Sequence, residues 1–259
     1  EPLEGLKPGD VDPRYTAMKE FFDSLNSEFD KIHATSADTP EECIHLLNHT
    51  FCDVQFGVET MMEPYASWFQ KQDLTASYSY YADLLKMLQW QRPGGRWLLK
   101  TPGHLWALDT LVDLFPDSCI VITHRNPLEC VTSYASMMAS MMKHREGFDV
   151  KTLGPVVLEY LAKKMERSIQ ARDALSDKRF FDVQFNDFVN NPVATATSIY
   201  QHFNLPLAKD TLQAMSAYAA DHPMGKHGSH DYKLAEFGLT ENMILQRFAF
   251  YLKRFDVVM

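Results

Sequence analysis

Apolar residues recur at helical spacing along most of the chain and gather into short continuous runs at three places. From Asp12-Pro13 onward, Met18, Phe21, Phe22, Leu25 and Phe29 repeat every three or four residues, which predicts an amphipathic helix. Thr39-Pro40-Glu41-Glu42 has the form of a helix start: Thr39 can cap, Pro40 suits the first helical position, and Glu42 can return a hydrogen bond as in a capping box. That helix is expected to reach about His49. Two more are predicted over residues 65–70 and 75–90, the second stopped by Arg92-Pro93-Gly94-Gly95. The apolar runs at 97–99, 119–122 and 180–185 read as strands, with helices expected over 105–115, 128–142 and 155–175 between them. Helices over 193–203, 210–220 and 240–255 complete the chain. Strand and helix alternate from residue 96, which predicts an α/β domain with parallel strands flanked by helices. Residues 1–259 are expected to form one domain, with a mainly helical part over 1–95 and an α/β part over 96–259.

Two of the strands run into polar clusters. The first leads to Lys100, Thr101 and His104; the second leads to Thr123, His124 and Arg125, with Ser133 eight residues beyond Arg125. Open parallel sheets bind ligands at the carboxyl ends of their strands, so these cations and hydroxyls predict an anion site. Each residue also has a plainer reading. Lys100 can be a solvated strand-end lysine, His104 a helix cap or a satisfied buried histidine, and Arg125 and Ser133 an ion-pair partner and a core hydroxyl. His124 is read as orienting the turn.

The segments LLKTPGHL, LFPDS and THRNPLECVTS resemble the "LK(S/T)PxHL…FPDA…THRDP…S" pattern of sulfotransferases that use 3′-phosphoadenosine 5′-phosphosulfate. The similarity continues through FFDVQFNDFVNNP and ends in GKHGSHDYKLAEFGL, so it covers the chain from about Asp38 onward. The resemblance implies a parallel sheet like that of phosphate-loop nucleotide hydrolases and transfer of a sulfuryl group to a hydroxyl or amine of a small molecule. It assigns His104 as general base, Lys100 to the phosphosulfate or leaving-group charge, and Arg125 with Ser133 to the 3′-phosphate of the co-substrate. Lys226 and Gly228 fall in the segment that closes over the 3′-phosphate and adenine. Phe185 stands where many members have Tyr, which removes one polar contact and keeps stacking.

Members of that family hold the 5′-phosphosulfate on a Gly, Ser and Thr-rich turn between a first strand and a helix. The glycines before Gly94 are Gly5, Gly9 and Gly57, none in such a setting. The expectation is therefore a chain lacking the first, phosphate-loop strand, short by about a hundred N-terminal residues for a domain of ordinary size. On that reading the chain alone is inactive, and it is either a fragment or a degenerate gene product. The alternative is a non-catalytic remnant that binds a nucleotide or a partner chain.

With 46% hydrophobic residues the 259-residue chain can bury a substantial core, and its net charge of −9 argues against a general nucleic-acid surface. Cys43, Cys52, Cys119 and Cys130 lack paired metal-site spacing and read as free thiols in a cytoplasmic protein. No run of about 18 apolar residues predicts a membrane span. A kinase-like phosphotransferase lacks a strand-end acid for magnesium, and His45 with His49 lacks a third zinc ligand; no metal is expected. Met137, Met138, Met141 and Met142 are read as helix core or as lining for a lipophilic acceptor. The charged stretch 163–172 is read as a solvated helix face. A homodimer is the default oligomer.

Overall fold

The computed structural model describes residues 10–24, 41–57, 63–90, 94–142, 145–175, 177–222 and 233–257. In chain order the α-helices and strands are α1 (Pro13–Ser24), α2 (Ile44–Leu47), α3 (Glu63–Phe69), α4 (Thr75–Trp90), α5 (Leu108–Leu114), β1 (Ile120–His124), α6 (Pro127–Met142) and α7 (Val150–Asp173). They continue with β2 (Phe180–Gln184), α8 (Phe185–Asn190), α9 (Pro192–His202), α10 (Lys209–Asp221), α11 (Glu241–Arg247) and α12 (Ala249–Phe255). The fold is α/β, rich in helix, with a small parallel sheet. Packing of the chain separates two compact units, residues 1–110 with 137–148 and residues 111–136 with 149–259.

In the first unit α2 packs on α4, burying Cys43 and Leu47 with Tyr78, Tyr81 and Leu85. The α4 helix spans the residues its periodicity predicts. Tyr65 ties α3 to the preceding turn, its hydroxyl donating to the Phe51 carbonyl at 2.9 Å and accepting from the Asp53 N–H at 3.1 Å. The helix expected to start near Thr39 is a single α-turn, α2, followed by a 3₁₀ turn at Asn48–Thr50; Thr39 and Pro40 lie outside the described residues. The capping box expected between Thr39 and Glu42 therefore lies outside the described residues as well. The Glu42 carboxylate pairs with the Lys100 ammonium.

The strand expected at residues 97–99 is not formed. The segment has no regular secondary structure and no ladder partner among the described residues, and Leu98 is 97% exposed. A strand exists only where a neighbour takes up its backbone N–H and C=O groups, and here, among the described residues, the segment is anchored only at its end, where the Cys43 N–H donates to the Lys100 carbonyl at 2.9 Å and the Lys100 N–H to Cys43 Sγ at 3.3 Å. The next α-helix begins three residues later than the expected Leu105, because a 3₁₀ turn precedes it. Thr101 accepts from the Gly103 N–H at 3.2 Å and Pro102 takes the first position, giving a 3₁₀ turn at Pro102–Trp106 before α5.

In the second unit β1 and β2 pair in parallel, with Ile120 opposite Phe180, Ile122 opposite Asp182 and His124 opposite Gln184. Paired residues share a face, so one face of this sheet carries Ile122, His124, Phe180 and Asp182. The helix α7 supplies buried Lys164, Ser168 and Arg172. These recur every four residues, so the stretch expected to be a solvated face has one buried polar stripe, because Arg172 reaches the Asp182 carboxylate at 2.6 Å.

Two glycines let α7 meet the Leu234–Phe237 turn closely. A Cβ on Gly154 would overlap the Phe237 carbonyl oxygen, and one on Gly238, whose φ is +70°, would overlap the Lys151 carbonyl oxygen. Pro155 in α7 has no N–H to offer Lys151 four residues back. That carbonyl instead faces the Gly238 Cα–H, a weak donor. The helix expected over 240–255 divides into α11 and α12 at Phe248, where ψ opens to 10°.

Candidate functional site

Lys100 and His104 belong to the first unit. Without a strand beneath it, Lys100 is placed by its backbone bonds to Cys43, its N–H directed at Sγ at 3.3 Å, and its side chain is 71% exposed. His104 sits inside the 3₁₀ turn, so it does not cap a helix; Thr101 does. Its Nδ1 is 2.9 Å from the Tyr78 hydroxyl, and its ring lies against Tyr78 and Tyr81. Burial without a compensating carboxylate pushes the imidazole down to about 4, so it is neutral near pH 7. Nε2 has no hydrogen-bond partner among the described residues. If Nδ1 carries the proton and donates to Tyr78, Nε2 presents a lone pair.

Near this pair, Asp53 is buried and caps the turn at Val54–Phe56, accepting from the Gln55 N–H at 3.0 Å. Burial raises its carboxyl to about 6 against the opposing effect of that hydrogen bond.

Arg125 and Ser133 belong to the second unit. Arg125 lies between β1 and α6, where Asn126 caps the helix by accepting from the Leu128 N–H at 2.9 Å and Pro127 starts it. The positive end of a 16-residue helix therefore adjoins this arginine. Arg125 Nε donates to Glu129 at 2.6 Å, and the guanidinium carbon stands 4.2 Å from the Phe185 ring centroid. Its two terminal nitrogens have no partner among the described residues. Ser133, half-buried on α6, has none there either.

His124 directly precedes Arg125 in this turn. Its side chain is fully buried, Nε2 is 2.8 Å from Asp182 Oδ1, Nδ1 is 3.1 Å from the Tyr251 hydroxyl, and its ring stacks on Phe255 at 4.1 Å. Burial alone would raise the Asp182 carboxyl, but hydrogen bonds from His124 and Arg172 and the Arg172 charge hold it far below the usual carboxylate range.

Phe185 was singled out in the sequence for stacking, whereas Glu129 and Tyr251 escaped sequence reasoning as parts of this region. Glu129 was legible in principle, since it stands four residues after Arg125; Tyr251 was not, being 127 residues from His124. Lys226 and Gly228 lie outside the described residues. Among the described residues no group of three His, Cys, Asp or Glu side chains could hold a metal, and no helix is long and apolar enough to cross a membrane. Met138 and Met142 are buried, Met137 is half-buried and Met141 is exposed, so most of that cluster is packing.

A parallel strand pair feeding a capped helix, with an arginine at the junction, defines an α/β protein of the class whose ligands bind at the carboxyl ends of strands. The chain belongs to the sulfotransferase family: the family's sequence profile matches residues 6–209. Among solved structures it is similar to sulfotransferase STF9 from Mycobacterium avium, with a TM-score of 0.85 and 26% identity over 96% of this chain and 66% of that one. It is also similar to sulfotransferase STF1 from Mycobacterium tuberculosis H37Rv, with a TM-score of 0.76 and 32% identity over 92% of this chain and 63% of that one. Curated relatives are the omega-hydroxy-beta-dihydromenaquinone-9 sulfotransferases Stf3 of Mycobacterium bovis and Mycobacterium tuberculosis, each 23% identical over 150 residues. The matched stretch is 55% of this chain and 36% of those relatives.

Proposed function

We propose that the chain is the greater part of a cytoplasmic sulfotransferase that moves a sulfuryl group from 3′-phosphoadenosine 5′-phosphosulfate to a small-molecule acceptor. The observation that carries this reading is Arg125. It stands at the junction of β1 and a capped helix, and Glu129 and Phe185 hold its guanidinium while its terminal nitrogens have no partner among the described residues. Two adjacent N–H groups on a planar fork match the oxygens of a phosphate. Ser133, two turns into α6, adds a hydroxyl for the same group.

The co-substrate would supply the sulfuryl group, whose bond to the 5′-phosphate oxygen breaks as a bond to the acceptor atom forms. His104 Nε2 accepts the acceptor's proton, a contribution worth roughly 10²- to 10⁴-fold in general-base catalysis. Lys100, exposed and on a flexible stem, offsets charge on the leaving phosphate. The hydroxylated quinone named for the Stf3 relatives favours a hydroxyl over an amine as the acceptor group. Residues 1–259 act as one sulfotransferase-like domain in this reading, with 1–95 on the acceptor side.

Calorimetric titration of 3′-phosphoadenosine 5′-phosphate into the chain tests the reading. Binding that is lost in Arg125→Ala is expected. A folded wild-type chain that binds nothing, or an Arg125→Ala variant that binds as well as wild type, overturns it.

A further inference from the structure

The second unit places considerable chemistry behind Arg125 that no part of the proposed reaction uses. His124, Tyr251, Asp182 and Arg172 come from β1, α12, β2 and α7, four elements that meet at one hydrogen-bonded chain. Its directions follow from the donors. Asp182 accepts a fork from Arg172, with Nη1 to Oδ1 at 2.6 Å and Nη2 to Oδ2 at 2.8 Å, so it is a carboxylate and can only accept. His124 Nε2 therefore carries the proton it donates to Asp182. In neutral His124, Nδ1 then offers a lone pair, and the Tyr251 hydroxyl donates to it.

The Tyr251 oxygen keeps its own lone pairs, and the histidine it holds directly precedes Arg125 in the chain. Phe255 closes the arrangement, stacked on His124 and 5.6 Å from the Arg172 guanidinium carbon. Such a set is poorly explained by stability, because apolar side chains generally serve as well around a buried arginine, and the Asp182 carboxylate it pairs with is itself partly exposed. What a directional network supplies instead is a fixed orientation.

We propose that Tyr251, His124, Asp182 and Arg172 are positioning residues that fix the backbone at Arg125, so that its guanidinium is held in the one orientation in which both terminal nitrogens meet the 3′-phosphate of the nucleotide. The proposal rests on the reading of Arg125 given above. It explains why the residue beside the phosphate-facing arginine is a fully buried histidine with both ring nitrogens engaged. It also explains why Arg125 keeps so few side-chain anchors of its own. Glu129 and Phe185 limit the swing of the guanidinium, and the hydrogen-bonded chain sets where that swing begins.

The test is a double-mutant cycle on affinity for 3′-phosphoadenosine 5′-phosphate, with thermal denaturation to confirm folding. Tyr251→Phe removes one hydroxyl and keeps the ring. With Arg125 in place it is expected to weaken binding about tenfold, the scale of one lost hydrogen bond to an oriented group. In an Arg125→Lys background the same change should cost less than about twofold, because a point-charge ammonium on a flexible stem needs no such orientation. Equal losses in both backgrounds, or no loss with Arg125 in place, would overturn the positioning role and leave the nucleotide reading standing. Wild-type affinity in Arg125→Lys overturns the fork-like reading of Arg125, and absence of wild-type binding overturns both. Should Tyr251→Phe not fold, His124→Gln keeps a donor toward Asp182, removes the Nδ1 acceptor and takes its place in the cycle.

Discussion

Each unit buries a histidine against a tyrosine, and the two sites handle the cost of burial in opposite ways. In the first, His104 meets Tyr78 and no carboxylate, and Asp53 nearby meets only backbone N–H groups. Both are pushed toward their neutral forms, His104 down to about 4 and Asp53 up to about 6. In the second, His124 meets Asp182, and Asp182 meets Arg172, so the carboxyl is held in its charged form. The first arrangement keeps an imidazole uncharged with one nitrogen unengaged, as a proton acceptor requires. The second engages both nitrogens and thereby suits a fixed support. The same residue type is thus separated into two roles by whether a carboxylate stands at Nε2.

The contrast breaks hardest at Asp182. Asp182→Ala leaves Arg172 and His124 without their shared acceptor, and a loss of about 2–4 kcal/mol in unfolding free energy by urea titration is expected, tempered by the partial exposure of the carboxylate. Because the folded carboxyl titrates below its unfolded counterpart, the wild-type advantage is full above about pH 4 and shrinks as the pH falls further. A gap that stayed constant down to pH 2 would mean that the charge on Asp182 is not what the network uses.

The overall class was legible in the chain because helices announce themselves locally. The spacing of Tyr78, Tyr81 and Leu85 is enough to place α4, and the Asn126-Pro127 pair is enough to start α6. The run at 97–99 misled for the converse reason: apolar content marks a segment that can pair, while the ladder depends on a neighbour distant in sequence. Arg125 and Ser133 were singled out because they follow a strand at a recognisable interval. The hydrogen-bonded network around His124 was not legible, since Arg172 lies inside a charged stretch that reads as solvated surface and Tyr251 inside a predicted helix 127 residues away. A buried polar stripe on a helix has the same periodicity as an exposed one.

A smaller effect of opposite sign is expected in the first unit. Asp53→Asn keeps an oxygen to accept from the Gln55 N–H and removes the buried charge. The folded carboxyl titrates near 6 and the unfolded one near 3.9, so burial of the charge costs stability increasingly as pH rises between those values and fully above them. The variant should therefore gain about 1–3 kcal/mol at pH 7, and nearly nothing at pH 3.5. Equal stability of the two proteins at pH 7 would show that Asp53 is compensated after all and that the two units do not differ in kind.

The mildest change addresses His104 itself. Tyr78→Phe removes the one hydrogen bond its ring is seen to make and should cost about 1 kcal/mol, close to the ordinary value for a single bond. The informative readout is the imidazole titration followed by NMR. In the wild-type chain the midpoint is expected near 4, because burial rather than a neighbouring charge sets it. In Tyr78→Phe the burial remains, so the midpoint should stay well below the ordinary value of about 6.5 for histidine. A midpoint that returned to that ordinary value would mean that the ring had swung out to solvent when the tyrosine hydroxyl was lost. Tyr78 would then be what holds the proton acceptor in place, and the first unit, like the second, would depend on a tyrosine to keep its histidine oriented.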